Sequence, residues 1–193
     1  MTIDLESAGS GDGELLMLAD AKAYLRVTGT DEDGVIADLI ASAEAACQGY
    51  IGRPFTAVAS TDYPVVGRNA TGFGVKHWPV SSSATVLVLD HDGSDVTSIF
   101  DINYATGRFV TSRIIGTGQY TVTYTGGMSL APTWDRDRMR LTGSIRDLVA
   151  EWYANRDPGA SSVADGDMSR VTVASKRGIP PRVISVWDPF VGW

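Results

Sequence analysis

Apolar residues recur every three or four positions near the start of the chain, a spacing that places them on one face of an α-helix. Residues 18–27 predict a short amphipathic helix. A longer helix is predicted for residues 30–51, where Thr30 and Asp33 have the three-residue spacing of a capping box. Pro54 follows and predicts the end of this helical region.

A third helical pattern covers residues 134–155. Gly143 lies in its middle, where glycine lowers helix stability by about 1 kcal/mol relative to alanine. A glycine at such a position favours close packing against a neighbouring helix. Because amphipathic helices are rarely stable alone in water, helices 30–51 and 134–155 are expected to pack together. The predicted helical core residues are Leu25, Ile36, Leu39, Ile40, Leu141, Ile145, Leu148 and Trp152.

The period of the pattern changes between the two long helices, from about 3.6 to two. Short runs rich in β-branched and aromatic residues are separated by glycine or aspartate, which is typical of antiparallel strands. The predicted strands are Thr56–Ser60, Ala84–Leu89, Val96–Phe100, Ile102–Tyr104, Arg108–Thr111 and Tyr120–Thr125, with hairpin turns at Asp92-Gly93 and Thr106-Gly107. The fold class is therefore α+β, a helical bundle core with an inserted antiparallel β-meander lobe at about residues 55–126.

The predicted organisation has four parts. A flexible N-terminal segment covers residues 1–17, and the helical core combines residues 18–54 with 128–158. The β lobe, residues 55–127, is inserted between the two parts of the core. Residues 159–193 form a C-terminal arm with a short helical turn near Arg182.

Charge limits the possible partners. The chain of 193 residues has a formal net charge of -7, which opposes tight binding to nucleic acid. Acidic residues are concentrated in the first fifty positions, and arginines in the last third. The N-terminus lacks a signal peptide pattern and no segment is apolar enough for a membrane span, so we expect a protein made in the cytoplasm without a membrane partner.

Candidate chemistry is sparse. The two histidines, His77 and His91, have no cysteine or second histidine at metal-ligand spacing, and Cys47 lies on an apolar helix face as an inert buried thiol. The glycine pairs at residues 72–74 and 116–118 lack the context of a phosphate loop and are interpreted as turns. The sequence therefore predicts no catalytic residue, metal or cofactor.

The aromatic residues of the C-terminal arm admit two interpretations. Trp187, Phe190 and Trp193 have little following chain to cover them. They can act as anchors in a pocket of a partner, which we favour, or they can fold back onto the core.

Several short motifs occur in an order that is specific as a set, although each is weak alone. In chain order they are Leu18 to Val27, Asp31-Glu32-Asp33 followed by Ile36, Leu39, Ile40 and Ala43, then Tyr50-Ile51-Gly52-Arg53, Trp78-Pro79-Val80, Tyr124-Thr125-Gly126-Gly127, Trp152-Tyr153-x-Asn155-Arg156 and Ile179-Pro180-x-x-Val183. From Leu18 to Phe190 the chain resembles the head-tail connector (adaptor) family of tailed bacteriophages and related gene transfer agents. The long polar stretch 159–176 and the ending 191–193 depart from the family pattern.

The resemblance implies a non-enzymatic neck protein of the virion, located between capsid and tail. It implies a ring of twelve copies that binds the portal protein above and a tail, stopper or tail-terminator protein below, with double-stranded DNA passing through without sequence-specific binding. The portal-binding candidates are Pro180, Arg182, Val183, Trp187, Phe190 and Trp193. The candidates for an acidic channel wall, which would keep DNA from adhering, are Asp31, Glu32, Asp33 and Asp38.

Two other classes of function stay open at this point. The β lobe could be an interaction module of a tail or baseplate, with helices that only brace the sheet. An enzyme with an unrecognised site is the third and least favoured class.

Overall fold

The computed structural model of the protein describes residues 14–155 and 178–191. The chain divides into two compact units. The first, called the helical unit, comprises residues 14–51, 136–155 and 178–190, and the second, called the β unit, comprises Gly52 to Asp135 with Val191. The predicted α+β fold class with an inserted strand-rich lobe is confirmed.

The described helices follow the predicted ones closely. They are α1 (Leu18–Leu25), α2 (Asp33–Ile51), α3 (Trp134–Ala154) and α4 (Pro181–Trp187), and a 3₁₀ turn at Asp188–Phe190 follows α4. Helix α1 ends before Val27 because Arg26 adopts a left-handed conformation with φ 58°. Helix α2 ends where Gly52 has φ 75°, a conformation that glycine adopts without a steric penalty.

The core of the helical unit contains most of the predicted residues. Ile36, Ile40, Leu141, Ile145 and Leu148 are buried, as expected. Three predicted core residues, Leu25, Leu39 and Trp152, are only half-buried. Trp152 lies at the rim because its indole N–H donates a 3.0 Å hydrogen bond to the carbonyl oxygen of Gly178.

The β unit consists of short antiparallel strands in small sheets. The strands are β1 (Val58–Asp62), β2 (Val65–Val66), β3 (Gly72–Gly74), β4 (Leu87–Leu89), β5 (Asp101–Asn103), β6 (Arg108–Val110), β7 (Gly118–Gln119) and β8 (Thr121–Gly126). Their orders are β1-β8-β4, β2-β7 and β3-β6-β5, so among the described strands only β5 and β6 are both paired and adjacent in sequence. Distant segments are thus joined, as when Val58 pairs with Gly126.

Two details of the β unit differ from the sequence-based prediction. The pattern of residues 96–100 predicts a strand, but Thr97–Ile99 is a 3₁₀ turn. Asp95 stabilises this turn, because its carboxylate accepts hydrogen bonds from the backbone N–H and the hydroxyl of Thr97. Residues 72–74, which the sequence analysis interpreted as a turn, form strand β3. A Cβ atom at Gly72 would lie only 2.2 Å from the carbonyl oxygen of Phe109 on the paired strand β6. Glycine therefore permits this close strand approach.

Aromatic residues fill the interior of the β unit. The Phe73 ring stacks on Phe109 with centroids 5.2 Å apart and meets Phe100 edge-on at 5.1 Å. Tyr120 and Val122 complete this buried cluster. Among the described residues, no helix combines the length and apolar character that a bilayer span requires.

Candidate interaction surfaces

The four acidic residues predicted to line a channel fall into two pairs. Asp33 forms an ion pair with the ammonium group of Lys22, and Glu32 accepts a hydrogen bond from the hydroxyl of Tyr153. Asp31 and Asp38 are exposed. Only this second pair therefore presents its side chains mainly to solvent, whereas Glu32 and Asp33 also stabilise the helical unit.

Two of the C-terminal aromatic residues are buried within the chain, which differs from the interpretation that they anchor it in a pocket of a partner. Trp187 is 0% exposed and Phe190 is 7% exposed, within the helical unit of the same chain. The indole N–H of Trp187 donates a 2.8 Å hydrogen bond to the hydroxyl oxygen of Ser144. Fold-back onto the core, the alternative interpretation, is therefore what α4 does, and Trp193 lies outside the described residues.

The other C-terminal candidates divide between the interior and the surface. Pro180 directly precedes α4 and Val183 lies within it, and both residues are buried. Arg182 is exposed, and its guanidinium lies 2.5 Å from a carboxylate oxygen of Glu151 on α3. Among the portal-binding candidates that the structure describes, Arg182 is therefore the one with an accessible charged group.

A groove of about 300 Å³ lies between α3 and α4. Its lining includes Arg140, Gly143, Asp147, Arg182 and Val186. A Cβ at Gly143 would meet nothing within 4 Å, so this glycine does not mark the close helix packing that the sequence favoured. The missing side chain instead leaves the groove open.

The β unit contains a buried polar network. The Tyr124 hydroxyl donates a 2.8 Å hydrogen bond to the carboxylate of Asp62, which also accepts the backbone N–H of Lys76 at 2.7 Å. The backbone N–H of His77 donates to the Tyr124 oxygen at 3.0 Å, and the His77 ring lies 2.9 Å from the Ser60 hydroxyl. Burial is the main reason that the pKa of Tyr124 is raised. The network fixes residues 76–77 to strands β1 and β8.

Arg53 and Trp78 form a second buried contact in the β unit. The guanidinium carbon of Arg53 lies 3.6 Å from the centre of the Trp78 ring. One guanidinium nitrogen donates a 3.0 Å hydrogen bond to the Trp78 carbonyl oxygen. Arg53 is 5% exposed, and its burial lowers its pKa to about 10. A cation held against an indole face in this way restricts the orientation of the ring.

Lys76 and Trp78, which take part in these contacts, line a cavity of about 530 Å³, here called the Trp78 pocket. The pocket is lined by Gly74, Val75, Lys76, Trp78, Thr106 and Arg108. Gly107 has φ 63°, and a Cβ there would lie 2.8 Å from Trp78 and 2.9 Å from Val75. Sequence reasoning missed this pocket, although Trp78 stood in a family motif, because its walls come from segments distant along the chain.

One set of potential metal ligands lies close together among the described residues, Asp90, His91 and Asp92. His91 and Asp92 are exposed. The Asp90 carboxylate accepts hydrogen bonds from the backbone N–H groups of Asp92 and Ser94 at 3.0 and 2.9 Å. Aspartate commonly stabilises turns in this way. Turn stabilisation accounts for this arrangement.

The fold is α+β, with one helical unit and one strand-rich unit. The sequence profile of the head completion protein family matches residues 14–190, so the chain belongs to that family. This confirms the resemblance inferred from the ordered motifs. Members of this family are structural components, and the prediction that the protein is not an enzyme is likewise confirmed.

Three solved structures share the fold. The first is "Virion of native gene transfer agent (GTA) particle", at 17% sequence identity and a TM-score of 0.56. The second is "Neck of empty GTA particle computed with C6 symmetry", at 17% identity and a TM-score of 0.57. The third is "Neck of native GTA particle computed with C12 symmetry", at 16% identity and a TM-score of 0.56. Each match covers 96% of this chain and 93–94% of the other. No curated protein matches the chain.

Proposed function

We propose that the protein is a head-tail connector in the neck of a tailed phage or phage-like particle. One observation carries the proposal. The head completion family profile spans residues 14–190, and the same region has the fold of chains from gene transfer agent particles, two of them in neck structures. The match is to the whole described chain and not to one unit, which favours an equivalent role.

In this role, identical copies form a ring that continues the DNA passage from the portal to the tail. The C12 symmetry of one similar neck structure supports twelve copies. The net charge of -7 suits a channel through which DNA slides without adhering. Asp31, just before α2, and Asp38, in its second turn, are exposed and are the candidates for the channel wall.

The portal contact is assigned to the exposed side of α4 and the residues that follow Phe190. Trp187 and Phe190 hold α4 on the helical unit, and Arg182 presents its guanidinium to the partner. An exposed arginine already close to Glu151 can exchange this partner for an acidic site on the portal without a large desolvation cost. The terminal residue Trp193 is the remaining aromatic anchor candidate.

The lower face would meet the tail or stopper protein. Arg136 and Arg138 are the candidates for this contact, because both are exposed in the first turns of α3. Their guanidinium groups favour an acidic protein partner, since they bind carboxylates in a bidentate geometry.

The test is electron microscopy of the full-length chain, alone and bound to particles that contain the portal. The expected result is a ring at the vertex that carries the portal, with a peptide tag on the chain labelled at the neck. Labelling at the far end of the tail would contradict the proposal. It would favour the second candidate, a baseplate interaction module.

That second candidate has one structural observation in its favour. The β unit exposes large apolar side chains, with Val65 79%, Ile114 66% and Tyr63 60% exposed. Isolated exposed apolar residues are common on protein surfaces. The family match over residues 14–190 therefore outweighs this observation.

A further inference from the structure

The Trp78 pocket has the construction of a binding site. Its walls are the Trp78 indole and Val75, and two cationic residues, Lys76 and Arg108, line it with exposed side chains. About 530 Å³ is within the range of small-ligand and peptide pockets. An apolar wall with two cations nearby favours a ligand that combines apolar and acidic groups.

The pocket is also held in a fixed shape. The Lys76 backbone is tied to Asp62, and the Trp78 ring is stacked on buried Arg53. Gly107 brings the β5–β6 turn into contact distance of the indole. Because these supports are buried, little ordering is needed when a ligand binds, and preorganised sites lose less entropy on binding.

The lining of the pocket indicates an extended segment. Gly74 belongs to β3, which is an edge strand of the sheet β3-β6-β5. Edge strands accept an added strand, with affinity from main-chain hydrogen bonds and specificity from pockets for alternate side chains. The expected ligand is therefore a short strand with apolar residues at every second position and acidic residues between them.

The first residues of this chain have that composition. Ile3, Asp4, Leu5 and Glu6 alternate apolar and acidic side chains, and residues 1–13 contain no lysine or arginine. The chain is anchored just beyond this segment, because the Glu44 carboxylate accepts the backbone N–H groups of Leu15 and Leu16. Thirteen residues can extend about 45 Å from that anchor, which is enough to reach an adjacent molecule.

We propose that the Trp78 pocket binds residues 3–6 of a second copy of this chain. Ile3 and Leu5 contact Trp78 and Val75, and Asp4 and Glu6 pair with Lys76 and Arg108. The assignment of the donor to a second copy rests on the proposed ring, in which identical chains lie side by side. The exchange would link each subunit to its neighbour, as strand addition does in other assemblies.

The first experiment measures binding of a fluorescent peptide, residues 1–13, to the full-length chain by anisotropy. The receptor carries Asp4→Lys and Glu6→Lys, so that its own N-terminus does not compete. In that background, Lys76→Glu with Arg108→Glu should weaken peptide binding tenfold or more, because two charge-assisted contacts become repulsive. The matched control, Arg68→Glu with Arg113→Glu, reverses two exposed charges of the β unit outside the pocket and should change affinity less than about twofold.

Three results would overturn the site. One is equal binding by the pocket variant and the control. Another is equal binding of a peptide of the same composition in which the acidic and apolar residues are grouped and no longer alternate. The third is displacement of the peptide by a DNA duplex at similar concentration, which would make the pocket a phosphate-binding surface.

The second experiment asks whether the donor is another copy. Full-length chains with Leu5→Cys and chains with Thr106→Cys are mixed and oxidised with copper phenanthroline. A disulfide-linked heterodimer, lost when Lys76→Glu and Arg108→Glu are added, supports exchange between copies. A double Leu5→Cys/Thr106→Cys chain that cross-links only within itself overturns it.

The two proposals fail separately. Rings at the neck with no peptide binding would leave the connector function standing and remove the pocket assignment. Peptide binding and cross-linking without any ring would leave the pocket assignment standing and remove the connector function.

Discussion

The indole N–H of Trp187 donates a 2.8 Å hydrogen bond to the hydroxyl oxygen of Ser144, and both side chains are buried. The same hydroxyl donates to the Leu141 carbonyl oxygen at 2.7 Å. This one group therefore connects α4 to α3. It also explains how a tryptophan near the end of the chain becomes part of the core.

Removing this hydroxyl should loosen α4. Ser144→Ala leaves the buried indole N–H without its acceptor, which costs about 1–3 kcal/mol of unfolding free energy. Urea unfolding followed by tryptophan fluorescence measures the change. Ser185→Ala, an exposed position on α4, is the matched control and should cost less than about 0.5 kcal/mol. Equal effects at both positions would contradict a specific role for Ser144.

Aspartate substitutions at Leu148 and Leu39, two predicted core residues, should affect folding to different extents. Leu148 is fully buried, and Leu148→Asp should prevent stable folding because an unpaired carboxylate cannot be solvated there. Leu39 is half-buried, and the aspartate of Leu39→Asp can reach water, so a folded but less stable protein is expected. Circular dichroism melting compares them. A lower melting temperature for Leu39→Asp than for Leu148→Asp would refute the described helical core.

Glu44 should make stability depend on pH. The pKa of the Glu44 carboxyl group is raised mainly because burial removes the group from water. This effect is larger than that of the hydrogen bonds from the backbone N–H groups of Leu15 and Leu16, which lower the pKa. Because the folded-state pKa lies above the unfolded one, the contribution of Glu44 is fully present below the unfolded pKa and is lost as pH rises through the folded pKa. Glu44→Gln should therefore gain stability relative to the native chain over the interval in which the pH rises above the ordinary glutamate pKa of about 4.3. Urea midpoints that stay parallel across this interval would contradict the effect.

Arg182 should influence portal binding without affecting folding. Arg182→Glu places two acidic groups together at the surface of α4 but removes no buried contact, so melting should change little. Co-sedimentation with portal-containing particles should fall about tenfold, as for a charge reversal in an interface. Arg68→Glu is the control, because this exposed arginine belongs to the β unit. Undiminished binding by Arg182→Glu would move the portal contact away from α4.

Gly107 should be required for the shape of the Trp78 pocket. Gly107→Ala combines a positive φ with a Cβ 2.8 Å from Trp78, so we expect a loss of about 2 kcal/mol or more. Gly93→Ala is a matched control, since it also has a positive φ of 80° but open space around the Cβ. The difference between their unfolding free energies isolates the contact with Trp78. No difference would mean that the turn moves freely away from the indole.

Local pattern predicted much of the fold because helices and hairpin turns depend on residues close together in sequence. Helices α2 and α3, the five buried core residues and the turns at Asp92-Gly93 and Thr106-Gly107 are in place. Strand order was not predictable, since the Cα partnership of Val58 with Gly126 joins residues with most of the β unit between them. Two-residue strands such as β2 also carry too short a pattern to detect.

The sequence by itself determined the helices, the strand-rich insertion, the acidic charge and, through ordered motifs, the family. The tertiary structure decided which of these side chains are free to act. Trp187 is a core residue because Ser144 accepts its indole N–H, and Trp78 lines a pocket because Arg53 and Gly107 hold it there. Burial depends on partners that are distant along the chain, and periodicity gives no information about which distant residues meet.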